Sequence, residues 1–266
     1  MTPGPHRSWI ELVARLGYLA RGLVFVIVGL LAAMASIGAR SRPADSKDAL
    51  RAVLNQPFGE ALLAALAAGL ACFAAWRLVQ AISNVEHPGF DASTLARRAV
   101  ALGAALFYLG FAWVALAMLL GSDGNRSGDQ AAREWTAWLL AQPFGRWMVA
   151  AIGVVFLVTS VGAVLKAVRG HFERHLDLGE EKRRVVGTLG VAGFLARAFV
   201  FATIGLFLLF AALNSRSSQA KGFAGALAVI EQQSYGPALL AITAAGLIAF
   251  GLYGIAEAAY RRINEA

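Results

Sequence analysis

The stretch NQPFGEALLAALAAGLACFAAWRLVQA, residues 55–81, decides the fold because the chain repeats its outline twice more. Residues 141–167 read AQPFGRWMVAAIGVVFLVTSVGAVLKA, and residues 232–258 read QQSYGPALLAITAAGLIAFGLYGIAEA. Each copy sets a glutamine and, three residues on, a glycine ahead of a long apolar run. The pairs are Gln56/Gly59, Gln142/Gly145 and Gln233/Gly236, with the glutamines 86 and 91 residues apart. Proline breaks a helix at two of these turns, and glycine permits the tight backbone. Each apolar run is therefore a new helix in the same register as the others.

Working outward, the apolar runs number six, at about residues 16–37, 61–82, 99–120, 147–165, 189–213 and 238–256. About 20 helical residues at 1.5 Å rise cross a hydrocarbon layer about 30 Å thick. The hydrophobic fraction is 58% and the charged fraction 15%. Soluble domains carry about 45–50% apolar and about 25% charged residues, so this chain exceeds what a water-exposed surface could hide. The runs do not alternate, which excludes a membrane barrel and leaves a helical bundle. The first run exceeds the 7–15 residues of a signal-peptide core and is expected to remain as a span. The remaining polar segments are too short for a seventh span. Cys72 is the single cysteine, so no intrachain disulfide can form and compartment is not readable from cysteine usage.

The units are expected at residues 9–90, 91–178 and 179–263, each a pair of spans. Two spans per unit return the chain to the same side, so the units are parallel rather than inverted. Parallel units are related by an axis along the membrane normal, which predicts an all-α bundle of pseudo-threefold form. Between the two spans of each unit lies an amphipathic tail, at Ser46–Leu54, 131–140 and 221–230, expected as a short interfacial helix. Trp135 and Trp138, three apart on one face, suit the headgroup layer.

Net charge is +8. With cytoplasmic termini, fifteen of the twenty-four Lys and Arg residues fall on the inner side and nine on the outer. The positive-inside rule then favours both termini in the cytoplasm. Basic balance in such a chain points to anionic lipid headgroups. No nucleic-acid motif is present, and neither is a phosphate loop, a nucleophile elbow or a catalytic triad. The glycines at 187, 190 and 193 have the wrong spacing for a dinucleotide fingerprint. The expectation is a protein without enzymatic activity and without a cofactor.

The odd-numbered spans of the outer units also match, GYLARGLVF from Gly17 and GFLARAFVF from Gly193. The middle unit reads GAALFYLGF from Gly103 and lacks the arginine. Three hairpins with LAR-type starts and Gln-aromatic-Gly turns resemble the bacterial membrane family catalogued as domain of unknown function 1206. The resemblance runs from about Trp9 to Arg262. It implies three two-helix repeats in a bacterial cytoplasmic membrane and carries over no reaction, substrate or catalytic residue. Mitochondrial carriers share the three-hairpin outline, but their odd helices end in a proline-acidic-basic signature. Here that place reads Ser36-Ile-Gly-Ala-Arg40, so membership is rejected.

Three sets of residues are candidates for chemistry. Arg21 and Arg197 lie inside apolar runs, where a charge costs on the order of 2.5–3.5 kcal/mol. They are candidate lipid or anion ligands, set against two alternatives: snorkelling to the interface, and pairing with Glu257. Counting 24 residues from each turn glutamine gives Gln80, Lys166 and Glu257, a candidate polar ring or three solvated side chains at the inner mouth. Gln56, Gln142 and Gln233 form a candidate outer ring or cap the local backbone. His171 and His175, four apart, offer two ligands to a metal but no evident third. Two roles compete: a lipid-binding or assembly-partner protein, and a channel or carrier for a small solute or ion. The partners expected are membrane lipids, anionic ones among them, together with a second copy or another membrane protein.

Overall fold

The computed structural model describes residues 5–39, 43, 46–82, 92–122, 128–170 and 180–260. Over these the chain is helical. The order is α1 (Pro5–Ser36), α2 (Ser46–Leu54), α3 (Gly59–Ile82), α4 (Ala92–Leu119), α5 (Gly128–Leu140), α6 (Gly145–Arg169), α7 (Glu180–Leu213), a 3-10 turn (Ser217–Gln219), α8 (Phe223–Glu231) and α9 (Gly236–Tyr260). Helices α1, α3, α4, α6, α7 and α9 are each long and apolar enough to span a membrane. The short helices α2, α5 and α8 sit between the two spans of each unit. The first of them has the bounds expected from its periodicity, while α5 begins three residues early and α8 two residues late. Trp135 and Trp138 are exposed on α5, with ring centroids 5.7 Å apart. Helix α8 is more than interfacial, because Gly225, Ala226, Leu227 and Ile230 are buried.

The three turns before the even spans share one hydrogen bond, from the glycine N–H to the glutamine carbonyl, at 2.8 Å for Gly59, 2.9 Å for Gly145 and 2.7 Å for Gly236. A side chain at any of the three glycines would run into a carbonyl of the preceding short helix, that of Leu54, Leu139 or Glu231. The turns therefore require glycine for space. In the first two copies the aromatic before the glycine is left-handed, with φ 60° at Phe58 and 61° at Phe144.

The spans pack in the order α4–α3–α1–α9–α7–α6. Two kinds of contact alternate along this order. Within a unit, Gly17 meets the backbone of Phe73 and Gly193 meets that of Phe250; a Cβ at either glycine would lie 2.6 Å and 2.5 Å from the facing Cα. One turn further, Gly69 faces Ala20 and Gly246 faces Ala196. Between units, Gly29 packs over Ala244 as Gly205 packs over Gly153. The arginines of α1 and α4 also fasten neighbouring units. Arg15 donates to the carbonyls of Ala258 (3.1 Å) and Ala259 (2.7 Å) at the end of α9. Arg98 donates to Ala81 (2.7 Å) and Ile82 (3.2 Å) at the end of α3. Unpaired carbonyls at a helix C-terminus are natural acceptors for a cation.

The middle unit departs from this pattern. Among the described residues α4 and α6 form no interface comparable to α1–α3 or α7–α9. The sequence supplies the reason. The small pairs Gly69/Ala20 and Gly246/Ala196 become Val155/Leu106, and the aromatic at the Phe73 and Phe250 position becomes Thr159. Bulk blocks the close approach, and the aromatic that would cover Gly103 is missing. A Cβ at Gly103 would meet nothing within 4 Å. The unit repeat is thus expressed in six spans and in matched interfaces of the first and third units. The threefold rotation expected from the repeat does not follow from this packing, in which α4 and α6 are the two ends of the order.

Candidate functional site

Arg21 lies in the middle of α1 and is only 3% exposed. Its Nη2 reaches Glu257 Oε2 of α9 at 2.6 Å, with both side chains about equally hidden. The guanidinium lies 5.1 Å from each of three ring centroids, those of Tyr18, Phe73 and Phe250. Such rings attract a cation through their negative faces. Carboxylate and aromatic cage together hold the charge inside the apolar bundle. Arg21 is therefore paired across the α1–α9 interface rather than lifted to the headgroups.

Arg197 is the equivalent residue of the third unit, on α7. It shares the ring of Phe250 with Arg21, at 5.1 Å, and lies 4.6 Å from the Phe201 centroid. Its Nε is buried without an acceptor among the described residues. Arg21, Arg77, Tyr108 and Glu257 are within electrostatic reach of it. Arg77 was not singled out by the sequence reading. It sits on α3 over Phe73 (5.0 Å) and donates to Gln80 Oε1 at 3.0 Å. The signal was available, since an arginine one turn after a phenylalanine in an apolar run invites this contact.

The candidate ring of Gln80, Lys166 and Glu257 is divided among different partners. Gln80 receives Arg77, Glu257 receives Arg21, and the Lys166 ammonium lies over the Phe194 ring at 4.4 Å. Phe194 in turn packs edge-on to Phe250 at 5.3 Å and to Tyr253 at 5.6 Å. Rings therefore connect the charged side chains: Tyr18 to Phe73 (5.4 Å), Phe73 to Tyr108 (4.6 Å), and Phe25 to Phe250 (4.8 Å). Among the described residues, three guanidinium groups gather around one carboxylate in this cluster.

The outer glutamines are not brought into a ring. Each donates its Nε2 to the carbonyl four residues earlier: Gln56 to Ala52 (3.3 Å), Gln142 to Trp138 (3.3 Å) and Gln233 to Val229 (3.0 Å). They close the ends of α2, α5 and α8. Among the hydroxyl side chains of the spans, Ser160 makes a buried bond to Ala198 of α7 at 2.7 Å, while Thr159, Thr203 and Thr243 bond to their own helices. His171 and His175 lie outside the described residues. Among the described residues no three His, Cys, Asp or Glu side chains cluster as metal ligands.

Six apolar spans in three hairpin units, with ionised side chains caged in aromatic rings, define a multi-pass helical membrane protein. The chain belongs to the family described as Domain of Unknown Function (DUF1206), which matches it three times, at residues 16–84, 99–170 and 192–261. It is 35% identical over 261 residues to the uncharacterized protein YxxB of Bacillus subtilis (strain 168), covering 97% of this chain and 94% of that one. No solved structure matches the chain.

Proposed function

We propose that the protein is a non-enzymatic component of the bacterial cytoplasmic membrane that binds anionic lipid. One observation carries this reading: among the described residues, the guanidinium groups of Arg21, Arg77 and Arg197 gather around the Glu257 carboxylate, and the buried Nε of each of the three lacks a hydrogen-bond acceptor. Buried charge is tolerated when paired, and a lipid phosphate would supply the missing counter-charge. Two features of the surface support it. The sides of α4 and α6 that would face each other are left open, with Leu106, Phe107 and Val155 exposed. Beside them runs an apolar groove of about 780 Å³ between α3 and α4, floored by Ala64, Ala68 and Ala71 and walled by Leu109 and Trp113. Its shape suits an acyl chain.

A channel or carrier for a small solute is the competing role. The aromatic chain from Phe223 through Phe25 and Phe250 to Phe194 fills the interior and argues against a wet path. The test is reconstitution into vesicles of phosphatidylcholine with or without phosphatidylglycerol, followed by native mass spectrometry. Preferential retention of phosphatidylglycerol is expected. Equal retention of both lipids would overturn the reading.

A further inference from the structure

Charge does not balance where the arginines meet. The six spans, taken from Leu12–Ser36 to Gly236–Tyr260, hold two acidic residues, Glu60 and Glu257. Glu60 stands in the first turn of α3, 17 residues before Arg77 and about 25 Å along the helix from it. Glu257 is therefore the span carboxylate near Arg21, Arg77 and Arg197, and it pairs with Arg21 at 2.6 Å. The three guanidinium groups are neighbours. Arg21 and Arg77 share the Phe73 ring, and Arg21 and Arg197 share the Phe250 ring. Arg197 of α7 is also within electrostatic reach of Arg77 of α3. Three cations against one carboxylate leave a surplus of two positive charges. The surplus lies on the accessible side: Arg21 is buried, whereas Arg77 and Arg197 are half-buried. Arg77 donates to a neutral amide, that of Gln80, and Arg197 leans on the rings of Phe201 and Phe250. None of these contacts supplies negative charge. Arg77 is five residues from the end of α3 at Ile82, and Glu257 is three from the end of α9 at Tyr260. The cluster thus lies about 5–8 Å below those helix ends, close enough for a phosphate at headgroup level to meet the two half-buried arginines.

We propose that Arg77 and Arg197 together bind a phosphomonoester, in preference to a phosphodiester. This rests on the anionic-lipid reading and names its headgroup class. A phosphodiester carries a single negative charge and leaves half of the surplus unpaired. A phosphomonoester carries about 1.5 to 2 negative charges at pH 7 and three acceptor oxygens, and so cancels it. Each guanidinium offers two parallel donors to phosphate oxygens. The phosphomonoester comes from a lipid such as phosphatidic acid or from free phosphate, which are the same chemistry. Arg21 takes no part in the grip, because its carboxylate is already in place.

The test counts charges. Wild type, Arg77→Gln, Arg197→Gln, the double variant and Arg133→Gln are reconstituted whole into phosphatidylcholine vesicles containing equal phosphatidylglycerol and phosphatidic acid. Retained lipid is read by native mass spectrometry. Wild type is expected to retain phosphatidic acid about tenfold over phosphatidylglycerol, the effect of one further charge-assisted hydrogen bond. Each single variant keeps one surplus charge, and is expected to lose that preference while still selecting both anionic lipids over phosphatidylcholine. The double variant keeps only the neutral Arg21–Glu257 pair, and is expected to lose the selection as well. Arg133 is an exposed cation on α5, and Arg133→Gln is expected to behave as wild type. If a Gln variant fails to fold, Met at the same position, which keeps the apolar stem, supplies the measurement. Inorganic phosphate added to delipidated protein separates the sources. A phosphate-dependent rise in melting temperature, lost in the double variant and unaccompanied by a phosphatidic acid preference, assigns the site to free phosphate. A phosphatidic acid preference without that rise assigns it to a headgroup. Equal retention of the two anionic lipids with no phosphate response overturns the phosphomonoester site and leaves the lipid reading intact. A phosphatidic acid preference unchanged in both single variants also overturns the site. No selection of anionic lipid and no phosphate response in wild type overturns both.

Discussion

At the scale of single residues, the Arg21–Glu257 pair shows how an apolar bundle carries charge. Removing one partner of a buried pair strands the other, at a cost of about 3–5 kcal/mol, whereas replacing both with apolar residues can be nearly neutral. Glu257→Leu alone is therefore expected to destabilise the protein by about that amount, and adding Arg21→Met is expected to recover most of it. Denaturant unfolding of the singles and the double in detergent measures the coupling; additive losses would contradict the pairing. The depth of Arg21 was legible in the sequence, and so was Glu257 as one of its possible partners. The choice was not, because 236 residues separate them and only the packing of α1 on α9 brings them together. Arg77 was legible from Phe73 four residues before it, but its place beside Arg21 and Arg197 was not, because that depends on how α3, α1 and α7 pack.

At the scale of elements, one glycine position has two different meanings. At Gly17 and Gly193 the facing helix backbone leaves no room for a methyl group, and at Gly103 there is open space. Overpacking a tight contact costs about 1–3 kcal/mol. Gly17→Ala and Gly193→Ala are expected to lose that much. Gly103→Ala is expected to gain up to about 1 kcal/mol, the difference in helix propensity. Thermal unfolding of the three variants under one set of conditions is the measurement, and equal effects at all three would refute the open α4–α6 side. A second expectation concerns α8. Asp129 Oδ1 accepts the N–H groups of Gly222 and Gly225, each at 2.9 Å, and so caps that helix from the neighbouring unit. Asp129→Ala is expected to cost about 0.5–2 kcal/mol, with faster hydrogen exchange confined largely to α8. The short helices themselves were readable from turn residues and apolar spacing. The cap was not, since Asp129 lies 93 positions from the group it serves.

At the scale of the whole molecule, the six spans and the threefold repeat were legible because hydropathy and turn chemistry are local signals. The order in which spans touch was not, because it depends on which small residues meet across interfaces. Val155 and Leu106 change that order in the middle unit without disturbing its hydropathy. Orientation follows from charge bias, and the expectation is cytoplasmic termini. In a Cys72→Ala background, an impermeant thiol reagent applied to intact cells is expected to label Ser217→Cys and to spare Glu180→Cys. The opposite pattern would reverse the topology.

The pairing of α1 with α9 also imposes a timetable on synthesis. Arg21 enters the membrane 236 residues before its carboxylate exists. At about 5–20 residues per second, that interval is roughly 12 to 47 s. For that time the first span is an unfinished structure, its charge held by whatever the translocon, water or passing headgroups provide. Any fragment that ends between Arg21 and α9 keeps the arginine and lacks the carboxylate, so every such chain carries an intramembrane charge that only the finished protein neutralises.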